Sequence, residues 1–230
     1  MNFAIIVEQL PLYLEGLWTT VWLVTAALVL GLLIAVPLSV LRSRHQPFAW
    51  GPVWAFTYFF RGTPLLIQLF LIYYGASQFE AVRESVFWPL LREAWFCALL
   101  AFTLNTAAYT TEIFAGAIKA TPKGEREAAI AFGMSPNQAL RRIVLPSALR
   151  RALPAYGNEV IFMLHGSAVA SVITIVDLTG AARIVNSRFY SPYEAFLTAA
   201  VFYLALTFLI VWAGKRLEKR WHAHLKPSAP

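Results

Sequence analysis

Residues 127–146 read EAAIAFGMSPNQALRRIVLP: Glu127-Ala128-Ala129, three residues, Gly133, nine residues, Ile143, one residue, then Leu145-Pro146. The stretch is basic and amphipathic and reads as soluble, yet long apolar runs flank it on both sides. Those runs decide the fold class. Of 230 residues, 59% are hydrophobic and 13% charged, against about 25% charged in ordinary soluble domains. A soluble chain of this length could not bury so much apolar surface, so the class is a polytopic membrane protein. Five runs, 19–41, 54–74, 94–117, 153–175 and 195–211, are long enough or nearly so to span a bilayer, which takes about 20 mostly apolar residues. The expectation is an all-α fold of about five transmembrane helices. It forms one membrane domain over 1–230, with 118–150 as a loop on the cytoplasmic side.

The side follows from charge. Residues 1–16 hold Glu8 and Glu15 but no Lys or Arg, so the basic start of a signal peptide is missing. They read as a short amphipathic or extracellular lead-in, with the N-terminus outside. The segments then placed inside, 42–51, 118–152 and 215–230, carry fourteen Lys and Arg; the outer ones carry four, and Arg61 falls within a span. The positive-inside rule supports this orientation and a cytoplasmic C-terminus. The net charge of +7 thus flanks the spans and meets membrane lipid. It forms no single soluble face, which argues against nucleic acid as a partner.

The sequence has no phosphate-cradling G-x4-G-K-[ST], no H-E-x-x-H, no G-x-S-x-G and no C-x-x-C. Cys97 is the only cysteine, and His45, His165, His222 and His224 are scattered; the last two read as a solvated tail. Neither a metal site nor a hydrolytic or redox centre is expected. Work against a gradient must draw on a partner subunit or on coupled ions.

Within the loop, Thr121-Pro122 reads as a helix start. Gly133 reads as the stop, where a left-handed conformation is needed. Ser135 with Gln138 is a capping-box pattern. The second helix is expected to run to Leu145, where Pro146 disrupts it.

The spacing E-A-A-x3-G-x9-I-x-L-P resembles the EAA loop of bacterial ABC importer permeases. Phe60-Arg61-Gly62-Thr63-Pro64-Leu65-Leu66-Ile67-Gln68 and the run from Leu104 to Ile118 resemble the polar amino-acid permeases. Leu145-Pro146-Ser147-Ala148-Leu149-Arg150, Leu153-Pro154-Ala155-Tyr156, Asn158-Glu159-Val160-Ile161, Met163-Leu164-His165 and Lys219-Arg220-Trp221 are similar to the M subunits of histidine/lysine/arginine/ornithine permeases. The resemblance implies a type I importer fold in the bacterial inner membrane. It implies a homologous Q-type second permease, two cytoplasmic ATPase subunits and a periplasmic substrate-binding protein. ATP and Mg would be bound by the ATPase, and this chain would hold no cofactor and have no catalytic role. Glu127, Ala128, Ala129, Gly133, Ile143, Leu145 and Pro146 would couple the chain to the ATPase. Glu127 would pair with a basic residue there, and the alanines would allow close approach.

Polar residues within spans are costly and point to function. Asn105, Tyr109 and Glu112 lie at i, i+4 and i+7, on one helix face above Gly116. They face a substrate path or partner, or they hydrogen-bond between helices; packing or gating is preferred over selectivity. Asn158 and His165 share a face, and Glu159 lies about 120° round from His165. A carboxylate so deep needs water or a cation. Glu159 is expected to bind the cationic side chain of a basic amino acid, with a salt bridge to Arg61 or to the partner chain as the alternative. His165 is expected to make a structural hydrogen bond. Arg61, beside Gly62 and Pro64, sits at an expected kink, and snorkelling, pairing and gating all stay open for it.

The expected function is therefore the permease subunit of an ATP-driven amino-acid importer, with basic substrates preferred over glutamine or glutamate. A self-sufficient secondary transporter would need coupling-ion ligands or repeated halves, and no inverted repeat is visible. A membrane enzyme is set aside because no catalytic constellation exists.

Overall fold

A computed structural model describes residues 3–44 and 47–221. His45, His222 and His224 fall outside the described residues. The elements are α1 (Phe3–Glu8), α2 (Leu10–Ser43), α3 (Pro47–Gly62), α4 (Leu65–Phe70), α5 (Glu80–Arg83) and α6 (Trp88–Leu91). There follow α7 (Ala94–Lys119), α8 (Lys123–Ala131), α9 (Pro136–Ala139), α10 (Leu145–Gly166), α11 (Leu178–Phe189) and α12 (Pro192–Trp221). No strand occurs among the described residues.

Among the described residues two helices, α2 and α12, are each long and apolar enough to cross a membrane, and up to four such spans result if each of two bent pairs counts as one. The remaining expected span is α7. Its Thr103, Asn105, Thr106, Tyr109, Thr110 and Thr111 lower its hydropathy, but this helix faces protein more than lipid. Ala98, Ala101, Phe102, Thr106, Ala107, Ala108 and Thr111 are all buried to 1% exposure or less. A helix sheltered by its neighbours does not need a fully apolar surface: Thr111 Oγ1 bonds back to Ala107 O at 2.6 Å, and Thr106 Oγ1 donates across to Glu159 of α10 at 2.9 Å.

The core is the packing of α7 along α2. Gly31 makes the approach possible: a Cβ there would fall onto the Thr106 methyl and lie 3.3 Å from the Ala107 amide nitrogen. Leu23, Val24 and Ala27 of α2, Leu69 of α4, Ala98, Ala101 and Phe102 of α7, and Met163 and Leu164 of α10 close the central cluster. By contrast, Leu197, Val201, Leu204, Phe208 and Leu209 of α12 are exposed, as suits a lipid-facing helix.

Several boundaries differ from the sequence reading, each for a physical reason. Residues 10–16 are not a separate lead-in but the first turns of a 34-residue helix, α2. Tyr13 is fully buried and donates its hydroxyl to Ala195 O at 2.9 Å. Thr20 Oγ1 accepts from Leu178 N at 3.1 Å. These contacts bind the start of α2 to α11 and α12.

The expected span 54–74 is broken rather than kinked: the axes of Trp50–Gly62 and Leu65–Gln78 differ by 105°. Pro64 has no N–H, takes φ −63 and ψ 137 as the cap of α4, and disfavours helical geometry at Thr63. The expected span 153–175 begins earlier, at Leu145, and after a 3-10 stretch, Ser167–Ile173, the chain turns at left-handed Thr174 (φ 73). Asp177, 1% exposed, then caps α11 by accepting from Gly180 N at 2.8 Å.

Candidate functional site

The break between α3 and α4 creates one side of a cavity. A helix that stops inside the bundle leaves carbonyls without partners. Gln68, 2% exposed, answers them: Nε2 donates to Phe60 O at 2.8 Å, Thr63 O at 2.9 Å and Thr63 Oγ1 at 2.8 Å. Asn105 Nδ2 of α7 donates to Gln68 Oε1 at 3.0 Å and to Phe60 O at 3.3 Å. Tyr109 OH donates to Arg61 O at 3.4 Å, and the Arg61 guanidinium carbon lies 5.4 Å from the Tyr109 ring centroid. Two residues of the i, i+4 stripe thus hold the broken helix in place.

Facing this break, Glu159 of α10 is 5% exposed and accepts from Thr106 Oγ1 at 2.9 Å. Thr63, Pro64, Leu65, Asn105, Tyr109, Glu159, Phe162, Met163 and Gly166 line a cavity of about 390 Å³. That size is within the range of small-molecule sites, about 300–1,000 Å³. Its wall is mostly apolar, with one carboxylate, one amide and two hydroxyls for orientation. Arg61 stacks on Tyr109 instead of pairing with Glu159.

The other expected path residues lie elsewhere. Glu112 sits a turn below, where Oε1 accepts from Arg42 Nε at 2.6 Å and from Thr57 Oγ1 at 2.7 Å. The Arg42 guanidinium carbon is 4.7 Å from the Trp50 ring centroid, so this cluster ties α2, α3 and α7 together. Asn158 is exposed, away from the cavity. His165 is also exposed, and its Nε2 lies 3.2 Å from Thr207 Oγ1 of α12. Among the described residues no cluster of three His, Cys, Asp or Glu is placed to hold a metal.

The second site is the helix pair around Glu127. Helix α8 ends in a Schellman turn: Met134 N donates to Ala129 O at 3.0 Å and Gly133 N to Ile130 O at 2.9 Å. Gly133 has φ +71, and the capping box of Ser135 and Gln138 opens α9. Two expectations need correction. Thr121 does not cap α8; the cap is Pro122, without a side-chain bond. Thr121 Oγ1 instead accepts from Arg151 Nη2 at 2.7 Å. Nor does Pro146 end a helix. A π-helical stretch, Leu140–Val144, passes directly into α10, with Pro146 in its first turn. The wider π turn relieves the clash that proline makes with the preceding turn.

Arg151 fixes this pair to the bundle. It donates to Ser147 Oγ at 2.6 Å and Ala117 O at 3.3 Å, and lies 3.6 Å from Glu125. Arg126 Nη2 donates to Ile118 O at 2.8 Å. Ala129 is buried, whereas Ile130 and Phe132 are 69% and 84% exposed. Glu127, Ala128 and Gly133 are exposed and Ile143, Leu145 and Pro146 half-buried. The sequence reading missed Gln68, Thr106, Arg151 and Phe132. Phe132 carried a signal, an aromatic beside a turn glycine in a polar loop. Arg151 was hidden among charges counted only as membrane anchors.

The family described as "Binding-protein-dependent transport system inner membrane component" matches residues 27–223. The histidine/lysine/arginine/ornithine transport system permease protein HisM of Escherichia coli (strain K12) is 47% identical over 215 residues, covering 93% of this chain and 90% of that protein. The nopaline transport system permease protein NocM of Agrobacterium fabrum is 44% identical, covering 100% of this chain and 98% of that protein. The solved structure of "an amino acid ABC transporter with histidines" superposes with a TM-score of 0.85 at 32% identity, covering 96% of this chain and 99% of that one. The chain therefore belongs to the family of binding-protein-dependent inner-membrane transport components: it is an ABC importer permease, a transport subunit distinct from the ATPase, and stands among the family's amino-acid permeases.

Proposed function

We propose that this permease passes cationic amino acids inward and that Glu159 receives their side-chain charge. The observation that carries the proposal is a carboxylate, 5% exposed, on the wall of a cavity of about 390 Å³. A guanidinium or ammonium entering the cavity supplies the charge-assisted hydrogen bonds that a buried carboxylate needs. Thr106 fixes one oxygen by its 2.9 Å bond, which orients the group before substrate arrives. The names of HisM and its counterparts point to the same substrate class.

In this proposal the N-terminus lies outside and the C-terminus in the cytoplasm. A periplasmic binding protein delivers the amino acid to a pair formed with a Q-type second permease. Two ATPase subunits bind ATP and Mg. Glu127, Ala128 and Gly133 meet an ATPase groove, with Phe132 and Ile130 as apolar anchors, while Ala129, expected at that contact, is buried inside the chain and backs α8 from within. Ile143, Leu145 and Pro146 carry the displacement into α10, and Arg151 passes it to α7. Because α10 runs continuously from the π turn to Gly166, with Pro154 inside it, motion at the helix pair reaches Glu159 along one helix. Asn105, Tyr109 and Arg61 hold the cavity's opposite wall. Glu112 holds the inner ends of three helices, His165 bears on Thr207 of α12, and Asn158 stays exposed, off the path.

Competition for uptake in proteoliposomes with the whole complex tests the substrate class. Arginine, lysine and histidine should displace labelled arginine, and glutamine and glutamate should not. Preferential displacement by glutamate would refute it.

A further inference from the structure

We propose that the groove between the start of α10 and the end of α12 holds one anionic phospholipid of the inner leaflet. Pro146, Leu149, Arg150, Arg220 and Trp221 line it, and its volume is about 500 Å³. Arg150 and Arg220 are both exposed and no carboxylate is among the lining residues. Two guanidiniums brought together from helices far apart in sequence suit a phosphodiester, which accepts paired N–H bonds. The remaining walls are apolar: Pro146, Leu149 and the Trp221 indole. A free phosphate would leave them wet, whereas a glycerol backbone and the first methylenes would cover them.

The depth of the groove also fits. Trp212, Arg216 and Arg220 lie at i, i+4 and i+8 on one face of α12. The Arg216 guanidinium carbon is 4.5 Å from the Trp212 ring centroid. Tryptophans and basic residues at the end of an apolar helix mark headgroup level. Toward the bilayer centre the same helix exposes Leu204, Phe208 and Leu209, where acyl chains would lie. The site has a consequence for coupling. Arg150 precedes Arg151, which is bonded to Thr121, so a lipid held here braces the base of the helix pair against α12. This inference rests on the proposed orientation of α12, and it does not depend on the amino acid carried.

The test is native mass spectrometry on the delipidated whole complex, titrated with phosphatidylglycerol or phosphatidylcholine. Wild type is compared with Arg150→Gln/Arg220→Gln, and with Arg141→Gln/Arg142→Gln, which removes equal charge elsewhere. Phosphatidylglycerol should bind wild type and the second variant alike, and the first about thirtyfold more weakly, since each basic residue at a membrane surface contributes about 1 kcal/mol. Phosphatidylcholine has the same phosphodiester with an ammonium beside it, so it should bind wild type more weakly than phosphatidylglycerol does and lose less in the first variant. If the first variant does not assemble, Arg220→Gln alone is measured and should weaken binding about fivefold. Equal binding of phosphatidylglycerol by all forms, an equal loss in both double variants, or displacement by equimolar inorganic phosphate would overturn the site. Loss of ATPase from the first variant with lipid binding unchanged would assign the groove to a protein contact instead. Uptake plays no part in these readouts, so failure of the lipid site and failure of the substrate proposal are separable.

Discussion

Glu112 and Glu159 are both carboxylates within membrane helices, and their neighbours give them different work. Glu112 accepts from Arg42 and Thr57 at 2.6 and 2.7 Å, so its charge is already answered inside the chain. Glu159 has the Thr106 hydroxyl and a cavity. Replacing Glu112 by Gln should leave Arg42 half-paired and lower stability by about 1–3 kcal/mol. The thermal midpoint of the purified complex should fall, and Arg42→Gln added to Glu112→Gln should cost less than the two single changes summed. Strict additivity would show that the pair contributes nothing. The stripe Asn105, Tyr109, Glu112 was legible in the sequence, because helical spacing puts it on one face. Its partners were not, since Gln68, Arg61 and Arg42 meet it only through the packing of separate helices. The same limit applies to Asn158 and His165: their shared face was readable, but not that it lies away from the cavity.

At the scale of elements, the helix pair shows which local rules survive tertiary context. The Gly133 turn and the Ser135–Gln138 box depend on a few adjacent residues, and both could be read in advance. The role of Thr121 could not, because Arg151, thirty residues on, competes for its hydroxyl. The continuity at Pro146 escaped reading because proline is a breaker only where the preceding turn cannot widen. Glu127 is exposed and bonds nothing that fixes the fold, so Glu127→Lys should abolish ATP-driven uptake while part of the complex still assembles. Uptake at the wild-type rate would remove Glu127 from the docking surface. Gly31 belongs to the opposite class. Gly31→Leu would drive a side chain into Thr106 and Ala107, with an overpacking cost of about 1–3 kcal/mol or more. Reduced recovery of folded complex on size-exclusion chromatography is expected, and normal recovery would mean that α2 and α7 are not so closely packed.

For the whole molecule, the membrane class followed from composition; 94–117 was found within two residues of α7 (Ala94–Lys119), while the other expected runs fell on longer or broken helices. The largest departures have a common origin. Hydropathy registers apolar length but not axis direction, so the 105° turn after Gly62 looked like part of one span. That turn is what makes the cavity, which explains why the site was less legible than the fold. Conversely, α7 is polar for a membrane helix because α2, α3 and α10 cover it. The account joins a cavity with a single carboxylate to a helix pair below it, through one continuous helix. Its central claim is that Glu159 recognises the cationic side chain. The direct measurement is the uptake of labelled arginine by reconstituted wild-type and Glu159→Gln complexes, with ATP hydrolysis followed in parallel. The account predicts a KM for arginine raised about tenfold or more, as expected for loss of a hydrogen-bonded charge pair of about 1.5–3 kcal/mol, with ATPase activity and assembly retained. An unchanged KM in a complex that assembles normally would contradict it.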